Sequence, residues 1–443
     1  MATEIPKSIG LQEPSLPEVH ASVGISRSPV YWRRLLGFLG PGFLISVGYM
    51  DPGNWATDIA GGSRFGYTLL FVIMLSNLMA VLLQSLALKL GVATERDLAQ
   101  LCHENYGRKA SFFLWVGAEI AIAACDLAEV IGSAIALQLL FHIPLIYGVL
   151  ITGLDVLLIL LLQKWGFRYI EALVIALIGT ILGMFGVQMF LSRPDYWPAL
   201  HSLFIPSVSI VANPAMLYIA IGILGATVMP HNLYLHSSIV QSRRYKRTPQ
   251  GKREAIHMAN MDSALALTLA LFVNAAILIV AAAVFHRSGH FEVAAIEDAY
   301  KLLSPLVGAG FASTLFAVAL LASGQNSSIT GTLAGQIVME GFIHLRVSPW
   351  LRRLITRGLA IIPTIIVVAV NGERGTEKLL ILSQVILSMQ LSFAVVPLVI
   401  FTGDRRKMGE FVNPRWLKML AWSTAVLIAA LNVWLLVQTA RGN

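Results

Sequence analysis

Charge is what this chain has least of. Only 13% of its 443 residues are Asp, Glu, Lys or Arg, against roughly a quarter in a soluble domain. That shortage, with 56% hydrophobic residues and a mean hydropathy of +0.73, excludes an ordinary soluble fold and points to a polytopic membrane protein. Cysteine is nearly absent too. Cys102 lies in a polar loop and Cys125 inside an apolar run, so no disulfide framework is expected. No H-E-x-x-H motif occurs: His231 and His236 are five apart with no Glu between them. That argues against an intramembrane metal-dependent enzyme. Residues 1–34 have no apolar core and are rich in Pro and Ser, so a cleavable signal peptide is not expected. They read as a disordered cytoplasmic tail.

Apolar runs are what the chain has most of. They fall at about 36–62, 67–91, 111–139, 143–162, 169–191, 212–240, 262–285, 309–342, 355–370, 379–402 and 417–438. A helix needs ~20 apolar residues to cross the hydrocarbon, so eleven spans are expected. The eighth run is too long for one straight span and should project beyond the bilayer. The net charge of +8 is assigned to loops rather than to nucleic-acid binding. With the N-terminus inside, the outer loops and C-terminus hold only Arg64, Arg193, Arg287, Lys301, Arg374, Lys378 and Arg441, and the other 25 of the 32 basic residues face inward. This bias predicts a cytoplasmic N-terminus and an external C-terminus.

Two runs are interrupted. Span 1 contains "DPGN" from Asp51 and span 6 contains "MPHN" from Met229. Interrupted segments at matching places in two halves point to a transporter's binding site. The chain is therefore expected to be all-α, with two five-helix repeats at 35–191 and 192–402, inverted because each has an odd number of spans. A loop and span 11 follow at 403–443.

Proline removes a backbone donor and breaks the helix, and freed carbonyls at membrane depth are tolerated only when buried in protein or lining a cavity. A cation would satisfy them. Asp51 offers an anionic oxygen, Asn54 an amide oxygen, Ala226 a carbonyl one turn before Met229, and Met229 a thioether sulfur. Sulfur suits softer divalent transition metals and not Mg²⁺ or Ca²⁺. The ordinary readings are that Met229 is core packing and that Asp51 merely caps the next half-helix. Their joint placement beside Pro-Gly-Asn and Pro-His-Asn favours a cation site.

These motifs resemble those of the Nramp (natural resistance-associated macrophage protein) divalent-metal transporters. "ASGQNSSITGTLAGQIVMEGF" in span 8, "GFRYIEAL" in span 5 and "SQVILSMQLSFAVVPL" in span 10 are similar as well. The resemblance implies the inverted-repeat fold of sodium-coupled amino-acid transporters. It also implies proton-coupled import of Mn²⁺, Fe²⁺ and similar ions (Cd²⁺, Co²⁺, Zn²⁺) across a bacterial inner membrane by alternating access. It implies metal ligation by Asp51, Asn54, Met229 and the Ala226 carbonyl, joined in some conformations by Gln384. Family members that move Mg²⁺ or Al³⁺ lack the span 6 methionine. Thr227 and Asn274 would belong to an outer gate. Ser392 departs from the span 10 pattern, which has proline there. The expected partners are metal ions, protons and the lipid bilayer, with no tightly bound cofactor, no nucleic acid and no obligatory protein partner. A symporter of the same fold for another substrate is the alternative, which Met229 disfavours.

Span 3 places Glu119, Asp126 and Glu129 at spacings of seven and three, on one helical face. Intramembrane carboxylates mark proton relays or ion-pair networks. The resemblance implies that they pair with span 9 cations, here Arg353 and Arg357, without fixing which meets which. His231 could handle protons, since imidazole titrates near neutrality, or could steady the broken helix as a hydrogen-bonded core residue. Asp155 in span 4 is also intramembrane. Metal and proton are expected to compete for Asp51, because metal ligands bind deprotonated.

Overall fold

The computed structural model describes residues 14–25, 30–154, 165–345, 347–371 and 375–440. Asp155, Arg374 and Arg441 lie outside them. The described chain is helical, and its β-structure is a single isolated bridge between Val23 and Arg243. Seven of the described helices are long and apolar enough to cross a membrane: Leu70–Thr94, Arg108–Phe141, Phe167–Ser192, Pro214–Ser242, Pro249–His286, Gly375–Thr402 and Arg415–Gln438. Pro41–Met50 and Leu354–Val367 are shorter apolar helices. Helix Ala312–Ile343 has 32 residues, about 48 Å at 1.5 Å per residue, which fits a run longer than one bilayer.

Helices five places apart in the expected order pack on each other. Pro52–Phe65 lies on Pro214–Thr227, Leu70–Thr94 on Pro249–Ala281, Arg108–Phe141 on Ala312–Ile343, and Leu145–Thr152 on Pro349–Asn371. The first two pairs form one bundle, and the last two form the body against which it rests. This pairing is the one expected of two interleaved five-helix repeats.

Both interruptions are real breaks, and each sits just ahead of its proline. Span 1 is helix Pro41–Val47, a 3₁₀ turn Gly48–Met50, an extended Asp51 and helix Pro52–Phe65. Span 6 is helix Pro214–Thr227, a non-helical Val228, an extended Met229, and helix Pro230–Ile239. Proline is pre-set for the first position of a helix, so each proline starts the second half-helix. In span 10 helix Gly375–Thr402 runs unbroken through Ser392, where Asn432 Nδ2 of the last helix donates to the Ser392 hydroxyl at 3.4 Å and to the Ser388 carbonyl at 2.7 Å.

Over its described residues the expected disordered tail requires correction; residues 1–13 and 26–29 lie outside them. Residues 14–25 pack against the molecule, with Leu16 and Val23 buried, and Tyr31–Phe38 is a helix. Composition suggested disorder because the stretch is polar on average. Two well-spaced apolar side chains and a set of backbone hydrogen bonds hold it instead.

Candidate functional site

The freed carbonyls of the breaks are met by side chains, as buried backbone groups must be. Met50 O accepts from Trp55 Nε1 at 3.2 Å and from Ser323 Oγ. Tyr49 O accepts from Asn274 Nδ2 at 2.7 Å. Asn54 Nδ2 does the most. It donates to Asp51 Oδ1 at 2.6 Å, to Ala226 O of the other break at 3.1 Å, and to Gly48 O at 3.3 Å. Two amide protons thus face three oxygens. Asp51 Oδ1 also accepts the Asn54 backbone N–H at 2.8 Å, so Asp51 is the N-cap of helix Pro52–Phe65. Its Oδ2 has no hydrogen-bond partner among the described residues. Asp51, Asn54, Ala226 and Met229 are all buried.

Met229 and Gln384 close the cluster. A methyl placed on Gly48 would collide with the Asn232 amide and lie 3.2 Å from Met229 Sδ, so the sulfur sits close against the first break. Met229 also packs with Ala121, Cys125 and Leu387. Gln384 presses its amide against Gly53, where any Cβ would collide with Nε2. Its Nε2 donates to Ser383 Oγ at 2.9 Å, and its Oε1 is buried with no hydrogen-bond partner among the described residues. The structure therefore brings together every residue of the expected ligand set.

Of the expected gate residues, Asn274 joins the first break, and its Nδ2 is 3.3 Å from Asn54 Oδ1. Thr227 turns back on its own helix and donates to Ile223 O at 2.7 Å. A cavity of about 710 Å³ opens beside Ser63, Arg64, Tyr218, Glu377 and Trp434 and reaches none of the break residues.

The expected proton residues separate into two groups. Glu129 Oε2 is 3.4 Å from Arg357 Nη2 and accepts from Ser328 Oγ at 3.2 Å. Arg357 also donates to Ser328 Oγ, and to the Asp126 carbonyl at 3.3 Å. Asp126 and Glu129 are fully buried, whereas Glu119 is half-buried and accepts from Trp115 Nε1 at 3.2 Å. The shared face is thus divided by depth. The side chain of Arg353 lies outside the described residues. His231 is buried with neither ring nitrogen hydrogen-bonded among the described residues.

Sequence reasoning missed a second polar chain. His236 Nδ1 lies 2.9 Å from Gln84 Oε1, and Gln84 Nε2 donates to Tyr49 Oη at 2.9 Å. This links spans 6, 2 and 1. A buried glutamine in an apolar run was the available signal. It also missed Arg243, whose guanidinium is buried against Glu171 at 2.8 Å and donates to Leu39 O at 2.8 Å. Asp262 receives the Gly42 N–H at 2.7 Å. Cys125, whose Sγ is 3.6 Å from Glu129 Oε1, connects the methionine cluster to the Glu129 pair.

Comparison with known proteins agrees with this architecture. The profile described as "Natural resistance-associated macrophage protein-like" matches residues 42–438. The chain belongs to the Nramp family. This Nramp chain is 63% identical over 430 residues to a protein of Mesorhizobium japonicum named divalent metal cation transporter MntH, covering 97% of the chain and 95% of that protein. A crystal structure of the Eremococcus coleocola manganese transporter matches it with a TM-score of 0.89 at 45% identity, covering 95% of the chain and 90% of that structure. A nucleobase-cation-symport-1 family transporter shares the Nramp fold at a TM-score of 0.60 and 14% identity, over 89% of the chain and 91% of that structure.

Proposed function

We propose that the chain imports divalent transition-metal ions together with protons, by alternating access. The observation that carries this reading is the Asn54 amide, held among oxygens of both breaks with the Met229 sulfur alongside. A half-turn of that amide would present Oδ1 to the same point. An arriving ion would then meet Asp51, Asn54 and the Ala226 carbonyl as oxygen donors and Met229 as the soft donor, with Gln384 adjacent. One anionic ligand among neutral ones suits an ion that must leave again. The sulfur favours Mn²⁺, Fe²⁺ and their neighbours over Ca²⁺ and Mg²⁺. Relatives named as manganese and divalent metal cation transporters support the same cargo.

A proton held at Asp51 is displaced when the metal binds. Asp126, Glu129 and Arg357 offer it a buried polar route through span 3, with His231 beside the second break. A cytoplasmic N-terminus in a bacterial inner membrane completes the reading. An inside-negative potential then favours entry of a divalent ion by ~4.6 kcal/mol at 100 mV, at ~2.3 kcal/mol per charge.

The test is Mn²⁺ uptake into proteoliposomes containing a pH dye. Mn²⁺ entry with internal acidification is expected for the native chain, and neither for Asp51→Ala. Mn²⁺ entry that persists in Asp51→Ala refutes the assignment.

A further inference from the structure

Residues 14–25, "PSLPEVHASVGI", cross a joint between the two bodies of the fold. On one side they grip the end of span 6. Ala21 N–H donates to Gln241 O at 3.0 Å and Val23 N–H to Ser242 O at 2.9 Å, while Arg244 N–H returns to Val23 O at 2.9 Å. Arg244 Nε donates to Ala21 O at 2.5 Å. These bonds make the bridge between Val23 and Arg243. On the other side Leu16 N–H donates to Glu340 Oε2 at 2.9 Å, near the end of helix Ala312–Ile343. Gln336 Nε2 fixes the other oxygen of that carboxylate at 2.9 Å. His20 Nε2 lies 2.9 Å from Arg247, which is paired with Glu95 at the end of helix Leu70–Thr94.

The two ends of this strap differ in what they hold. Gln241 and Ser242 continue the half-helix Pro230–Ile239 of the broken bundle. The next residue, Arg243, donates to the Phe38 and Leu39 carbonyls just ahead of half-helix Pro41–Val47. Glu340 belongs to the body that packs on helix Arg108–Phe141. The strap therefore staples the broken bundle to its support at one end of the molecule. Leu16 is 2% and Val23 6% exposed, so both ends are anchored by burial as well as by hydrogen bonds. Leu16 and Ala21 have φ of 53° and 49°. Non-glycine residues hold that left-handed geometry only where their surroundings enforce it.

We infer that residues 14–25 are a latch, holding the half-helices Pro41–Val47 and Pro230–Ile239 closed at the N-terminal end and detaching when that end opens. The inference rests on the alternating-access reading above. A staple across two bodies stabilises only the state in which both anchor points are in register. Breaking one anchor should therefore raise the population opened at that end without touching the ion's ligands.

The test is thiol reactivity. Ser46 is fully buried on helix Pro41–Val47, and Ala134 is fully buried on helix Arg108–Phe141. Ser46→Cys and Ala134→Cys are made separately in a Cys102→Ala, Cys125→Ala background, and each is alkylated by a hydrophilic maleimide in detergent. Leu16→Asp, which places a charge in the buried anchor beside Glu340, should raise the ratio of Ser46→Cys to Ala134→Cys reactivity about tenfold, about 1.4 kcal/mol. Removal of residues 1–25 should do the same, and Leu16→Met should stay within twofold. A ratio unchanged in Leu16→Asp and in the truncated chain overturns the latch, whether both sites become more reactive or neither does. Mn²⁺ uptake is scored separately on the native chain. If that uptake is absent while the ratio rises, the Mn²⁺ import reading fails, while the opening motion and the latch that restrains it stand. If uptake is present with the ratio fixed, the latch alone fails.

Discussion

Asp51→Asn separates two jobs that one side chain performs. As a cap, Asp51 Oδ1 accepts the Asn54 backbone N–H at 2.8 Å and its side-chain Nδ2 at 2.6 Å. An asparagine keeps an oxygen at that place, so the cap, worth about 1 kcal/mol, survives. As a proposed ligand, Asp51 is the one anion, and no ion pair among the described residues involves it. Removing it takes the charge from the ion's side and leaves neutral donors. Losing one partner of a buried charge contact costs about 2–5 kcal/mol, roughly a 30- to 5,000-fold weaker Mn²⁺ affinity. The metal-free protein should be no less stable than the native chain, since a buried, unpartnered carboxylate oxygen is replaced by a neutral group. Asp51→Ala should lose the same affinity and, in addition, about 1 kcal/mol of stability with the cap. Calorimetric titration with Mn²⁺ and thermal melting of all three proteins supply the numbers. Mn²⁺ affinity within threefold of native in Asp51→Asn would refute the reasoning.

Two other substitutions probe separate physical claims. Met229→Leu preserves volume among Ala121, Cys125 and Leu387 and removes only the sulfur. It should let Ca²⁺ compete with Mn²⁺ uptake at concentrations the native chain ignores, and unchanged rejection of Ca²⁺ would show that the thioether does not select. Asp97, the N-cap of helix Leu98–Asn105 in the loop after span 2, is raised by burial from 3.8 to about 6, against the N–H bonds it accepts from Gln100 and Ala99. The folded chain then binds that proton more tightly than the unfolded one. This stabilisation is complete below pH ~4 and lost as pH rises through about 6, on the order of 3 kcal/mol. Asp97→Asn should flatten thermal stability across that window, and an unaltered slope would place its origin elsewhere.

The sequence exposed the plan of this fold because membrane helices must be long, apolar and continuous unless something intervenes. "DPGN" and "MPHN" stood out as the interventions, and the structure puts Asp51, Asn54, Ala226 and Met229 in one buried cluster. Glu129 and Arg357 were readable as acid and base on facing spans, but their pairing was not, because spacing along a helix fixes a face and not a partner. The Tyr49–Gln84–His236 chain was invisible for the same reason: its members lie 35 and 152 residues apart. The packing of residues 14–25 was misjudged because average composition hides two buried anchors.

Under the proposed function, Asn54 would give the site a memory of its cargo. Its amide nitrogen rests among the Asp51, Ala226 and Gly48 oxygens, a donor set in the posture a cation would take. If the proposed ion binds here, the cluster would trade one positive end for another. Loading would then be an exchange and not an insertion, and so would unloading. An ion that left would be replaced by a proton-bearing group already within reach, so the oxygens would not be left to repel one another while the protein resets.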